Sequence, residues 1–179
     1  GKDTVLSELF RNRPDLLFSI SSVTRAMRSG EREGEKYNFI SREKFLYMID
    51  NDMLLEHNVF VGNYYGTPRE PVERAIAEGK DIIIEVDVNG AAQIREKLPE
   101  AVSIFIMPPS FEELKRRLRG RGTESEELIE KRLNSALSEI KRAVEYDYII
   151  VNDNITAAAD DILSVILSSS FKTDRQKNI

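Results

Sequence analysis

The chain has 179 residues, of which 41% are hydrophobic, so it can bury the core of one ordinary globular domain or at most two small ones. This composition excludes a disordered or fibrous protein. The 31 Asp and Glu residues outnumber the 26 Lys and Arg residues, and the net charge of −5 argues against non-specific electrostatic binding to nucleic acid or to an anionic membrane. With no Cys and one His, disulfide scaffolds, thiol nucleophiles and Cys/His zinc sites are excluded.

No apolar run approaches the roughly 18 residues that a membrane span requires, and no secretory signal opens the chain. We therefore expect a cytoplasmic protein without nucleic-acid or membrane partners. The composition is even, without repeats or a linker, which predicts one compact domain ending in a polar tail.

Short β-rich runs alternate with helical patterns along the chain, after a helical pattern that follows Gly1. Four runs are predicted to be strands buried on both faces: 17–21, 81–86, 101–106 and 148–151. Helices are predicted to begin at two capping boxes, Thr67 to Glu70 and Ser110 to Glu113, and to span 126–144 and 156–167. This alternation predicts an α/β fold with a parallel sheet and helices on both of its faces.

The segment 31–65 interrupts this alternation. It contains a strand-like run at 37–39, a helical pattern at 41–51 and a second strand-like run at 54–60. We interpret it as a small β-rich lobe inserted into the main fold.

The first residues, Gly1-Lys2-Asp3-Thr4, lead directly into a helical pattern. A phosphate-binding loop ends in Gly-Lys at a helix start, where backbone N–H groups and the Lys ammonium converge on phosphate. The dipeptide is also what a trimmed terminus could leave, and by itself it does not separate the two interpretations.

A polar cluster follows the first predicted buried strand: Ser21, Thr24, Arg25 and Arg28. Because the carboxyl ends of parallel strands face the ligand crevice, these hydroxyl and guanidinium groups could bind a phosphate. The alternative, a polar loop with solvated arginines, stays open at this stage.

A second cluster combines Glu56 with two adjacent tyrosines, Tyr64 and Tyr65, that lie between glycines. The tyrosines supply phenol donors and flat contact surface for a ligand. The alternative is a hairpin-like turn with surface tyrosines. The single histidine, His57, has no His or Cys partner and is not expected to be catalytic.

The acids Glu85 and Asp87 end the strand predicted at 81–86. Carboxylates at that position are costly to bury without hydrogen-bond partners. A guanine base or magnesium-bound waters would serve as such partners. Capping of the next helix is the weaker interpretation, because apolar residues lead straight into these acids.

An arginine-rich stretch forms the last cluster. Glu112 with Arg116 and Glu113 with Arg117 have the spacing of salt bridges on one helix face. Arg121 lies between two glycines, which suits a lid that closes over a polyphosphate.

Together these stretches resemble guanylate kinases up to about residue 167. The strings that carry the resemblance are Ser-Ile-Ser-Ser-Val-Thr-Arg (19–25), Gly-Asn-Tyr-Tyr-Gly-Thr (62–67), Glu-Val-Asp-Val-Asn-Gly (85–90), Pro-Pro-Ser (108–110), Arg-Gly-Arg-Gly-Thr (119–123) and Val-Asn-Asp (151–153). The resemblance implies a P-loop NTPase fold with three α/β/α layers. It also implies a single domain over 1–179, with a core (1–30 and 68–167), a GMP-binding lobe (about 31–67) and a lid (about 119–132).

The resemblance implies ATP-dependent phosphorylation of GMP and dGMP with Mg²⁺, in purine nucleotide metabolism. The implied GMP-binding residues are Ser21, Arg25, Arg28, Glu31, Tyr37, Glu56, Tyr65, Thr67, Glu85 and Asp87. The implied catalytic residues are Lys2, Arg117, Arg121 and Arg132, and ATP is expected to contact Gly1, Lys2, Asp3, Thr4, Arg117, Arg121 and Asn152.

Within this set, Arg25, Arg28, Tyr37 and Tyr65 would hold the phosphate of GMP and Glu56 its base. The role of Glu56 has a physical reason, since guanine presents its N1–H and N2–H donors side by side and a carboxylate can accept both.

The chain departs from the family pattern in two ways. The strand and glycine-rich loop that would precede Lys2 are not in the sequence, so we expect roughly ten or more further residues upstream. Asp3 also stands where many P-loops have the Ser or Thr that reaches Mg²⁺. No direct protein ligand to the metal is therefore predicted, although Thr4 could take this role.

Two other functions compete with the enzyme. A guanylate-kinase-like interaction module would bind a phosphorylated or acidic peptide, but such modules typically lose the P-loop Lys or the lid Arg. A related kinase acting on a sugar phosphate is suggested by Asp3, whereas Glu56 with Tyr65 and Thr67 argues for a guanine pocket. The oligomeric state is not predicted.

Overall fold

A computed structural model describes residues 1–120 and 126–171 of the chain. The elements in chain order are α1 (Lys2–Asn12), β1 (Leu17–Phe18), β2 (Ser21–Val23), β3 (Tyr37–Phe39), α2 (Arg42–Asp50), β4 (Leu54–Phe60), β5 (Asn63–Pro68), α3 (Arg69–Ala77), β6 (Ile82–Ile83), α4 (Val88–Lys97), β7 (Ile104–Met107), α5 (Phe111–Arg119), α6 (Glu126–Lys141), a 3₁₀ turn (Arg142–Glu145), β8 (Tyr148–Val151) and α7 (Ile155–Ser170). The fold is α/β. Contacts divide it into two compact units, Gly1–Arg13 with Val102–Ile179, and Pro14–Ala101.

The unit Pro14–Ala101 contains two sheets. One is the parallel pair of β1 and β6, and the other has four strands in the order β3-β2-β5-β4. In the second sheet β2 pairs parallel with β3, whereas β5 pairs antiparallel with β2 and with β4. Phe45 of α2 packs with Leu54 of β4, and a separate cluster joins Leu55, Val72 and Ile94 from β4, α3 and α4. Burying both faces of β4 in this way fixes its register.

The other unit is built on the parallel pair of β7 and β8, in which Ile104 lies opposite Tyr148. Helix α1 contacts α7, and α5 and α6 share an apolar cluster of Leu118, Ile129 and Leu133. Ser103 and Asp147 bond each other just before the two strands begin.

The predicted alternation of strands and helices is confirmed, with the strands at 37–39, 54–60 and 148–151 at their predicted bounds. The strands predicted at 17–21 and 81–86 are shorter, since β1 and β6 have two residues each. The two tyrosines, for which a hairpin-like turn was the alternative interpretation, lie within strand β5.

One of the two predicted capping boxes is wrong. Helix α3 begins after Pro68 with no side-chain cap, because the Thr67 hydroxyl instead donates to the buried carboxylate of Glu56 at 2.7 Å. A carboxylate removed from water needs that donor more than the exposed helix end does. At the other helix the Ser110 hydroxyl accepts from the Glu113 N–H at 3.1 Å, as predicted.

The predicted end of α3 at Gly79 is confirmed. Gly79 has a φ of 68°, and its N–H bonds the Ile76 carbonyl while the N–H of Lys80 bonds the carbonyl of Ala75. These two bonds form a Schellman motif, in which a glycine accepts the left-handed conformation without steric cost.

The hairpin between β4 and β5 turns through Val61 and Gly62, whose φ angles are 48° and 74°. Two positive φ values suit the type I′ turn that matches strand twist, but a β-branched residue is strained there. Val61 is also 80% exposed, so little packing offsets this strain.

We therefore expect Val61→Asn to raise the free energy of unfolding by about 1 kcal/mol, since Asn tolerates the left-handed conformation that Asn-Gly turns require. Urea unfolding followed by circular dichroism measures the change. Val59→Asn is the matched control, because Val59 is 52% exposed but lies within β4, where losing β-propensity should lower stability. Stabilisation by both variants, or by neither, would contradict the explanation.

Candidate functional site

The four-stranded sheet holds a buried carboxylate. Glu56 of β4 is 5% exposed, and its Oε1 accepts the Thr67 hydroxyl of β5 at 2.7 Å. Burial raises the pKa of Glu56 above its ordinary value, and the bond from Thr67 offsets part of this rise. The site can therefore offer carboxylate oxygens in a place from which water is largely excluded.

The guanidinium of Arg25, two residues after the end of β2, lies over two aromatic rings of β3. The Arg25 side chain is 10% exposed, with its guanidinium carbon 5.0 Å from the ring centre of Tyr37 and 5.4 Å from that of Phe39. Its terminal nitrogens donate to both oxygens of Glu31, at 2.7 and 2.6 Å. The guanidinium holds the pKa of Glu31 at about 2, and the paired carboxylate raises the pKa of Arg25. The buried Nε of Arg25 has no hydrogen-bond partner in the described part of the chain.

The two adjacent tyrosines have different surroundings. Tyr64 packs on Phe45, 5.3 Å between ring centres, while the ring of Tyr65 lies 6.3 Å from that of Tyr37 in an edge-on arrangement. Successive residues of a strand point to opposite faces, so one tyrosine belongs to the core of the sheet and the other joins Arg25. Burial raises the pKa of the Tyr37 phenol, which keeps it a hydrogen-bond donor at neutral pH.

The two acids after β6 have separate partners. Glu85 pairs with Lys36 at 3.2 Å. Asp87 is the N-cap of α4, since its Oδ1 accepts from the N–H groups of Asn89 and Gly90 at 3.0 and 2.8 Å. Helix capping, given above as the weaker interpretation, is therefore the correct one for Asp87. Strand β6 ends at Ile83, which leaves Asp87 in extended conformation directly before the helix.

In the other unit, the start of α1 lies beside the end of β8. Gly1 is the N-cap residue, and a Cβ added to it would lie 3.0 Å from the amide nitrogen of Asn152. Asn152 is 4% exposed, and its Oδ1 is buried without a hydrogen-bond partner among residues 1–120 and 126–171. Arg117 donates from one terminal nitrogen to the Asn152 carbonyl at 2.8 Å and from Nε to Glu113 at 2.6 Å. Lys2 follows Gly1 in the first turn of the helix.

The salt bridge predicted between Glu113 and Arg117 is confirmed, but Arg116 pairs with Glu113 rather than with Glu112. Arg116 and Arg117 together hold the pKa of Glu113 at about 2. The carboxylate of Glu113, shared by the two arginines, fixes the orientation of the Arg117 side chain.

The predicted site residues fall into two groups. Those expected at GMP all lie within the unit Pro14–Ala101, with Ser21 on β2 and the Arg28 N–H bonded to Glu31 at 2.8 Å. Those expected at ATP or in catalysis lie in the other unit, with Asp3 and Thr4 in the first turn of α1 and Arg132 on α6. Arg121 lies outside the described residues.

Sequence reasoning missed two residues next to the proposed GMP contacts. Phe39 lies under Arg25, and its position two residues after Tyr37 on one strand could have indicated this. Lys36 pairs with Glu85 across 49 residues of sequence, a distance over which no local pattern gives a signal.

Within residues 1–120 and 126–171, no helix is both long and apolar enough to cross a membrane. The same ranges contain no group of three or more His, Asp or Glu side chains arranged to hold a metal ion.

The guanylate kinase family model matches residues 1–169. A guanylate kinase of Desulfitobacterium hafniense is 47% identical over 176 residues, covering 98% of this chain and 88% of its own length. A guanylate kinase of Photorhabdus laumondii is 48% identical over 178 residues, covering 98% and 86%. The crystal structure of guanylate kinase from Anaplasma phagocytophilum is 39% identical, with a TM-score of 0.79 over 97% of this chain and 84% of that one.

Proposed function

The chain belongs to the guanylate kinase family, and we propose how its residues transfer a phosphoryl group from ATP to GMP or dGMP. It is a nucleotide kinase that phosphorylates GMP. The observation that carries the residue assignment is that one sheet holds a buried carboxylate, Glu56, and the aromatic rings on which the guanidinium of Arg25 stacks. These groups match the two ends of GMP, a base with adjacent donors and a phosphate.

Glu56 accepts from guanine N1–H and N2–H. The Thr67 hydroxyl, which already donates to Oε1, orients the carboxylate and remains close to the base. Adenine lacks this pair of adjacent donors, so a buried carboxylate discriminates against AMP by leaving its own oxygens without partners.

Arg25, Arg28, Tyr37 and Tyr65 bind the phosphate of GMP, and Ser21 adds a hydroxyl. The stacking of Arg25 on Tyr37 and Phe39 fixes the plane of its guanidinium, which favours bidentate contact with a phosphate. Glu31 orients Arg25 through its two bonds. Glu85 and Asp87 complete the site on the side of the nucleoside.

The ATP site is formed by the start of α1 and its neighbours in the same unit. Lys2 binds the phosphates at the positive end of the helix, together with backbone N–H groups, and Asn152 lies near adenine. The Oδ1 of Asn152, which has no partner among the residues that the structure describes, supports this role, since it can accept from the exocyclic amine of that base. Arg117, Arg121 and Arg132 surround the transferred group.

The reaction needs no protein nucleophile. An oxygen of the GMP phosphate attacks the γ-phosphorus of ATP, the bond to the bridging oxygen breaks, and ADP leaves with that oxygen. The protein positions the two nucleotides, while Lys2 and the arginines stabilise the charge spread over the transferred group.

The start of α1 offers Mg²⁺ one hydroxyl oxygen, that of Thr4 in the first turn, two residues after Lys2. The ion would neutralise charge on the ATP phosphates when bound, and phosphate oxygens and water would supply most of its ligands.

We assign the core to residues 1–30 and 68–167, the GMP-binding lobe to about 31–67 and the lid to about 119–132. We also assign the protein to the cytoplasm, where it acts on small-molecule substrates.

A coupled assay for ADP release, started with GMP or AMP at varied Mg²⁺, tests the function. Turnover with GMP alone supports it. GMP binding without ADP release would favour the interaction module instead.

Arg121 separates the enzyme from such a module, because a phosphate-recognition module needs no arginine remote in sequence from the GMP residues. We expect Arg121→Ala to lower kcat roughly a hundredfold, ~3 kcal/mol of lost transition-state stabilisation. GMP affinity by titration calorimetry should change little. An unchanged kcat would remove Arg121 from the site and leave the enzyme assignment standing.

The raised pKa of Glu56 predicts how GMP binding depends on pH. Because only the ionised form accepts both guanine donors, GMP affinity should fall on acidification at a pH above the ordinary glutamate value of 4.5. The folded protein holds the carboxyl proton of Glu56 up to a higher pH than the unfolded chain does. The contribution of Glu56 to the free energy of unfolding therefore decreases as the pH rises through the same window.

Calorimetric GMP titrations from acid to neutral pH, on wild type and Glu56→Gln, measure the effect on affinity. The phosphate of GMP also titrates, near pH 6, but equally in both proteins, so the difference between the two curves isolates Glu56. Parallel curves would contradict the prediction.

A further inference from the structure

Helix α4 lies along the open edge of strand β4. β4 is an outer strand of its sheet, so one side of its backbone faces no neighbouring strand. At His57, the side-chain amide of Gln93 bonds both free backbone groups: the His57 N–H donates to Oε1 at 3.2 Å, and Nε2 donates to the His57 carbonyl at 3.0 Å. The amide thus replaces the peptide of an adjacent strand, directly beside Glu56 in sequence.

Residues at the two ends of α4 continue this contact along β4. At one end Asn58 donates from Nδ2 to Oδ2 of Asp87, the N-cap residue of the helix, at 2.8 Å, and at the other Lys97 donates to the Leu54 carbonyl at 3.0 Å. Gln93 and Lys97 are four residues apart, which places them on one side of the helix. Gln93 makes two bonds to β4.

Gly90 brings the helix into contact with Glu56 itself. A Cβ at this position would lie 2.8 Å from Oε2 of Glu56 and 3.0 Å from the Cβ of Val86. The helix backbone therefore forms the wall against which the carboxylate rests. A change in the distance between α4 and β4 would move that carboxylate relative to Thr67, which holds its other oxygen.

We propose that Gln93 is a positioning residue for guanine recognition, which acts by holding β4 against α4 so that Glu56 faces the base. This inference rests on the proposed role of Glu56. Discrimination between GMP and IMP reports it specifically, because hypoxanthine keeps N1–H but lacks the 2-amino group, so only a correctly placed carboxylate distinguishes the two. A residue that merely stabilised the fold would lower activity toward both nucleotides alike.

The experiment measures kcat/KM for GMP and for IMP, KM for ATP, and thermal unfolding. Gln93→Leu removes both bonds and should lower the GMP to IMP ratio about tenfold, with KM for ATP within about twofold of wild type. Gln93→Glu keeps the acceptor for the His57 N–H but loses the donor, and should fall between wild type and Gln93→Leu. Ser103→Ala is the matched control, since it removes two hydroxyl bonds to Asp147 in the unit that does not contain Glu56 and should lower Tm without changing the ratio.

Gly90→Ala gives an independent measurement of the GMP to IMP ratio if Gln93→Leu does not fold. Alanine favours the helix more than glycine does, yet its Cβ would displace the Glu56 carboxylate, so a lower ratio could not come from a weaker helix. An unchanged ratio in folded Gln93→Leu overturns the inference. If Gln93→Leu does not fold, an unchanged ratio in Gly90→Ala overturns it. An unchanged ratio in Glu56→Gln would instead overturn the proposed role of Glu56.

Discussion

Glu56→Gln is expected to lower kcat/KM for GMP about a thousandfold, about 4 kcal/mol, with little change in KM for ATP. The carboxamide offers one oxygen acceptor and turns an N–H donor toward two guanine donors. The contact is removed from water, so neither unpaired donor recovers a hydrogen bond from solvent.

Steady-state kinetics with each nucleotide varied in turn measure this effect. Glu70→Gln serves as the control, because it makes the same chemical change in a side chain that is 74% exposed and pairs with Arg74. Equal losses toward GMP and ATP would contradict the assignment of Glu56 to the base.

Arg25→Met is expected to cause a loss of similar size in kcat/KM for GMP, about a thousandfold or about 4 kcal/mol. Methionine keeps an apolar stem for the rings of Tyr37 and Phe39 but removes the guanidinium. The variant also removes the main partner that holds the pKa of Glu31 at about 2, so a carboxylate deprived of its strongest counter-charge would oppose the incoming phosphate.

Arg42→Met is the matched control, since Arg42 also stacks on a tyrosine, 5.1 Å from the ring centre of Tyr64, and lies outside the proposed phosphate site. Both variants are compared by GMP titration calorimetry and by turnover. Equal, small effects of the two would indicate that Arg25 only stabilises the lobe.

Local patterns in the sequence predicted the elements well where one interaction dominates. Tyr148–Val151 is a strand because β-branched and aromatic residues follow one another, and Gly79 ends α3 because it can adopt a positive φ. The Thr67 capping box failed for a tertiary reason. Its hydroxyl meets a buried carboxylate that is eleven residues away in the sequence.

The surroundings of the proposed GMP residues could be predicted only in part. The motifs identify Arg25 and Glu56, but they do not indicate that Glu31 binds both terminal nitrogens of that arginine or that α4 contacts β4. Gln93 and His57 are separated by 36 residues, and only the folded chain brings them together. Such long-range pairs have no periodicity to detect.

The pair of Arg25 and Glu31 means that the proposed phosphate site already contains an anion of the protein itself. An arriving phosphate must therefore share or replace an internal carboxylate, and only the difference between the two interactions contributes to affinity. When GDP departs, the carboxylate can recover both terminal nitrogens at once, so the arginine is never left uncompensated in its half-buried position. This exchange favours rapid turnover over tight retention of product.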